Sequence, residues 1–111
     1  MVNQRSWGSL SAANHYVRLR RIPAVNVVYL DWAGDVEQID SETFREKLLK
    51  PIVTEIERRR ISDHVDYIVY STDFPWAVDC SKDAEGTRLP NFLGPTASLT
   101  GATYMLSLIH I

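Results

Sequence analysis

Three groups of residues carry the chemistry open to this sequence. Asn3, Arg5, Ser6 and Trp7 form the first, Asp31 and Trp32 the second, and Ser71, Thr72, Asp73 and Trp76 the third. Each follows a short apolar run and is therefore expected just beyond the end of a strand. In open α/β sheets, ligands bind outside the carboxyl ends of the strands. Aromatic walls with a few convergent polar groups are also the usual lining of a small-molecule site. The alternative is structural: the tryptophans plug a sheet edge while the aspartates cap helices and turns. Both readings fit the residues.

Other reactive groups make weaker cases. Cys80 is the single thiol, and the adjacent Asp79 would raise its pKa, whereas a nucleophile needs a base and a lowered pKa. His15 falls inside an expected helix and His64 precedes an expected strand, both away from a carboxyl edge. His64 and Asp66 are two candidate metal ligands where three or four must converge, so no metal site is expected. The phosphate-cradling patterns G-x-G-x-x-G and G-x-x-x-x-G-K-[ST] are missing, as is the G-x-S-x-G elbow, and no cofactor is expected. Arg58, Arg59 and Arg60 read as the solvated end of a helix.

Composition narrows the class. The 111 residues include 12 Lys and Arg against 14 Asp and Glu, a net charge of −2, with 45% hydrophobic and 23% charged residues. This is the balance of an ordinary globular domain, neither collagenous nor disordered. It lacks the basic excess of a nucleic-acid binder, so no nucleic-acid partner is expected. No apolar run approaches the roughly 18 residues of a transmembrane segment, and no signal-peptide pattern opens the chain.

The elements that must position these residues follow from periodicity. Val2-Asn3 reads as the end of a strand. Ser9 is expected to cap a helix that carries Leu10, Ala13 and Val17 on one face and ends in Arg18, Arg20 and Arg21 before Pro23. Residues 25–30 read as a buried strand. Asp40 is a good N-cap, with Ile39 and Phe44 as a hydrophobic staple. Phe44, Leu48, Ile52 and Ile56 then form the stripe of a second helix, which Leu49 and Val53 widen. Pro51 should kink this helix without ending it, because the stripe continues beyond it. Residues 65–70 read as a third strand and 79–95 as a long irregular loop. Residues 96–104 suit either a helix start or a short strand. The alternation of strands and helices predicts one α/β domain with a parallel sheet, a three-layer Rossmann-like or flavodoxin-like arrangement.

Taken in order, these segments resemble an uncharacterised bacterial family. The residues that carry the resemblance are Val2-Asn3, Ser9, Tyr16, Arg21, Ile22-Pro23, Asn26-Val27-Val28, Phe44, Pro51-Ile52, Asp66 to Val69, Pro75 and Thr96 to Gly101. The family is similar to proteins of bacteria that carry exosortase, a proposed sorting transpeptidase, which implies an exported or cell-envelope setting. It implies no activity and no catalytic residue. Its members are longer, so 1–105 is expected to be an α/β domain fragment truncated at both ends. Residues 106–111, Leu-Ser-Leu-Ile-His-Ile, resemble a translated sequencing adaptor; the alternative is an apolar strand from Tyr104. Two rival functions stand beside the family reading. One is a caspase- or gingipain-like cysteine peptidase domain without its catalytic part. The other is a non-catalytic module that binds a small ligand through Trp7, Trp32 and Trp76.

Overall fold

A computed structural model describes residues 1–81 and 96–109, with side chains as far as Tyr104. Two small sheets and a set of helices share one apolar core. The first sheet pairs β1 (Val2–Asn3) in parallel with β2 (Tyr29–Leu30). The strand expected over 25–30 is therefore shorter. Pro23 is extended and leads into a 3-10 turn at Ala24–Asn26, so the chain straightens only from Val27. Residues 65–70 do not form a regular strand either. Even so, Val69 O accepts from the Met1 amino group, and Ser71 N–H donates to Met1 O at 2.9 Å. That is the slanted pattern of a parallel neighbour, limited to one rung. β1 thus lies between β2 and residues 65–71.

The second sheet was not expected from the sequence. β3 (Gln38–Asp40) pairs in parallel with β4 (Ala77–Asp79), and β4 pairs antiparallel with β5 (Thr96–Ser98). These three-residue strands are too short for alternation to announce them. The result is a mixed helix–strand architecture of α/β type. Residues 82–95 of the expected 79–95 loop lie outside the described residues, as do His110 and Ile111.

The first helix, α1 (Trp7–Arg20), is capped by Ser6, whose side chain accepts from Ser9 N–H at 3.0 Å. The cap is not Ser9, because that hydroxyl is buried and accepts Asn3 N–H at 2.9 Å. Arg21 closes the helix in the left-handed region, at φ 52°. Asp40 does cap the next helical run, accepting from Thr43 N–H. This run comprises α2 (Ser41–Phe44), a π turn at Arg45–Leu49 and α3 (Lys50–Arg58). The π turn is how the chain accommodates Pro51. A proline has no N–H and its ring clashes with the carbonyl four residues back, so the helix widens by one residue just before it. Beyond β5, α4 (Leu99–Ile109) is helical where a strand from Tyr104 was the alternative.

Phe44, Leu48 and Ile52 are fully buried, and they pack with Val28, Leu30, Trp32, Phe74, Val78, Leu99 and Ala102. Val2 and Ala13 are buried outside this cluster, on the sheet face that α1 covers. α1 packs on β1, while Met1 packs against the core cluster that α2 and α3 help to fill. Arg59 departs from the expected solvated run. Its guanidinium donates to Val25 O at 2.9 Å and to Val27 O at 2.7 Å, tying the end of α3 to the turn before β2.

Candidate functional site

The carboxyl ends of β1, β2 and residues 65–71 come together, and with them most of the strand-end residues. Asn3 is buried and serves as the hub. Its Nδ2 donates to Asp73 O at 2.8 Å, and its Oδ1 accepts Arg5 N–H at 3.1 Å. Ser6 donates from Oγ to the Asp73 carboxylate while accepting Ser9 N–H. Ser71 Oγ donates to Ser9 O at 2.8 Å. Arg5 pairs with Asp31 across the edge, and the hydrogen bond from Arg5 holds the Asp31 carboxyl below its usual range. That pair is exposed to water and weighs little on stability.

This arrangement decides what the edge can bind. A helix N-terminus attracts anions, but here the Asp73 carboxylate, held through the Ser6 cap, already stands at α1. Asp73 reaches this place in the left-handed region, at φ 65°, which Asp tolerates better than most residues. The Arg5 guanidinium is likewise matched by Asp31. One guanidinium against two carboxylates leaves the edge net acidic, so it suits a neutral ligand better than a phosphate.

The three tryptophans separate. Trp32 is buried in the core, and its indole N–H donates to Asp35 O at 3.1 Å. Its ring leaves room only for glycine at 34, where a Cβ would meet it at 2.6 Å. Trp7 is 83% exposed on the first turn of α1, and Trp76 is 69% exposed. The expected wall of three indoles does not form. Trp76 instead borders a shallow depression of about 430 Å³, together with Thr72, Asp73, Pro75, Ser98 and Thr100. Sequence reasoning missed Ser98 and Thr100, because β5 and the start of α4 reach Trp76 only through the pairing of β5 with β4.

No protein-family profile, curated protein or solved structure matches this chain. The site must therefore be weighed on its own chemistry. Cys80 is buried, with its Sγ 3.7 Å from Val78 O, and so shielded from a substrate. Asp40 and Asp79 are register partners at the ends of β3 and β4, another pairing that the sequence did not announce. Both carboxylates have local work: Asp40 caps α2, and Asp79 accepts Ser81 N–H at 3.0 Å. The Ser81 hydrogen bonds hold the Asp79 carboxyl low despite the neighbouring Asp40. Among the described residues, no three His, Cys, Asp or Glu side chains group as a metal would require. No helix among them is long and apolar enough to cross a membrane.

Tyr70 forms part of the floor of the depression, where its hydroxyl lies 2.7 Å from Thr103 Oγ1. Thr103 gives its own proton to Leu99 O at 2.8 Å, so the phenol is the donor. Burial pushes Tyr70 up to about 12 from the ordinary 10.0. The sign follows from linkage: the folded state holds the proton more tightly, so this stabilisation is complete below pH 10 and disappears as pH rises toward 12. Over that window it should amount to roughly 2 kcal/mol. Urea unfolding of the parent and of Tyr70→Phe between these pH values should show a steeper loss in the parent. Parallel slopes would mean that the phenol is not held neutral by the fold.

Proposed function

We propose that this chain is a non-catalytic binding module that takes a small, neutral, hydroxyl-bearing molecule in the depression between the carboxyl end of residues 65–71 and the amino end of β4. The observation that carries this reading is the exposed Trp76 indole beside the hydroxyls of Thr72, Ser98 and Thr100. An indole face supports the apolar side of a ligand, and the hydroxyls donate to or accept from its polar rim. Asp73, Arg5 and Asp31 act as scaffold, held by Ser6 and by the Arg5–Asp31 pair. Asn3 and Ser6 position that scaffold. Trp7 can flank a ligand from α1, whereas Trp32 belongs to the core. The finer architecture we infer is a three-layer Rossmann-like or flavodoxin-like sheet. Its support is the parallel order β2, β1, then residues 65–71, with α1 packed on β1. The envelope setting implied by the family resemblance makes cell-wall saccharides the first compounds to try.

Titration with N-acetylglucosamine oligomers should change the tryptophan fluorescence saturably. Trp76→Phe should abolish the change, while Trp7→Phe should retain at least part of it. A flat response from the folded parent across saccharides and nucleosides would overturn the reading, as would a full response from Trp76→Phe.

A further inference from the structure

A second concavity meets the first at Tyr70, Ser71 and Thr72 and extends from there along α1. It is a groove of about 620 Å³ between α1 and residues 64–72. This volume falls within the range of small-molecule sites. Ala13, Val17, Val28, Ile56, Ile61 and Ile68 give it an apolar floor. Ala12, Tyr16 and Tyr67 also line it, with Tyr16 40% and Tyr67 87% exposed. The groove reaches the turn before β2 and the 3-10 turn at Ser62–His64, toward the amino ends of the strands.

The charges on its lining are unequal. Arg20 and Arg21 stand at the end of α1, and His64 stands opposite, with Asp66 the single acid among the lining residues. The Arg20 guanidinium lies 5.9 Å from the centroid of the Tyr16 ring, which holds it over the groove's aromatic wall. No ion pair engages Arg20 or Arg21 among the described residues. The carboxyl edge shows the contrast, since Arg5 is paired there with Asp31.

We propose that this groove binds one molecule of an amphiphilic anion, its apolar body along α1 and its carboxylate or phosphate head between Arg20 and Arg21. The apolar floor supplies affinity by burial, and the two guanidinium groups select the charged head. The head-group position at Arg20 and Arg21 does not rest on the reading of the Trp76 depression.

The test uses the complete 111-residue chain, decanoate as the probe and decanol as its neutral counterpart. Decanoate below its micellar range should shift amide resonances of Tyr16, Val17 and Tyr67 saturably, with decanol about tenfold weaker. One charge-assisted hydrogen bond at a partly exposed head corresponds to that factor. Arg20→Gln with Arg21→Gln should reduce decanoate affinity about tenfold and leave decanol unchanged. Both positions are exposed, so the thermal unfolding midpoint should hold and separate lost binding from lost fold. Ala12→Trp, which places an indole in the groove from an exposed helix position, should weaken both compounds. Equal affinity for the two compounds, or an unchanged double variant, would overturn the role of the arginines. Binding to phosphatidylglycerol vesicles without any binding of monomeric decanoate would make the groove a membrane-surface contact and overturn the proposal.

Discussion

Phe44→Ala should remove about 4 kcal/mol of folding stability, a large share of what a domain of this size possesses. Phe44 is 0% exposed, and it stands where α2 passes into the π turn, packed with Leu48 and Ile52 against the core. Truncation loses the transfer free energy of the ring and leaves a cavity. The neighbours cannot collapse into it freely, because the Asp40 cap and Pro51 pin the helix on either side. Urea unfolding should show a lower midpoint with an unchanged slope, the mark of a stability change without a change in exposed surface. A loss below about 1 kcal/mol would mean that the site repacks and that Phe44 does not anchor the core.

Asn3→Asp should cost about 3 kcal/mol and damage the carboxyl edge at the same time. The side chain of Asn3 both donates and accepts: Nδ2 to Asp73 O, and Oδ1 from Arg5 N–H. An aspartate can still accept from Arg5, but when ionised it has no proton for the Asp73 carbonyl. It would also bury a charge against that carbonyl oxygen. Leaving a buried polar group unsatisfied costs about 1–3 kcal/mol, and more when charge is involved. The variant should therefore recover stability as pH falls through the carboxylate range and the new acid becomes a donor. Asn3→Ala should lack this recovery. If unfolding of Asn3→Asp does not depend on pH beyond the parent, the hydrogen bond to Asp73 O is not formed in solution. Because this contact holds the 71–73 turn, saccharide binding at Trp76 should weaken in both variants.

Legibility in the sequence followed the range of the interaction responsible. The Asp40 cap, the Ile39 and Phe44 staple and the stripe through Ile52 are contacts among residues within about one or two helical turns, and all are present. Pro51 likewise distorts its helix by a local mechanism. Ser6 and Ser9 show where local reasoning stops. Either hydroxyl could cap α1, and the choice falls to Ser6 because Asn3, at the end of β1, occupies Ser9. Arg59 shows the same limit: in sequence it belongs to a basic run, yet it reaches two carbonyls more than thirty residues away.

The candidate site divides along the same line. Placing Asn3, Arg5, Ser6, Asp31 and Asp73 at one edge required only that strands run parallel and that loops after them share a side. Their conversion into a self-satisfied network could not be read, because donors and acceptors far apart in sequence choose one another only in three dimensions. The tryptophans make the point most sharply. All three follow apolar runs, but Trp32 is buried over Gly34 while Trp7 and Trp76 face water.

The sequence by itself determined the first two helical runs, the Asp40 cap, the distortion at Pro51, and the alternation of helix with extended chain. These rest on backbone stereochemistry and on side-chain periods of a few residues. Only the tertiary structure decided which charges are paired, which indoles remain open, and that β5 and the start of α4 bring Ser98 and Thr100 to Trp76. Those outcomes depend on desolvation and pairing between segments brought together by the common core, and no local pattern encodes them.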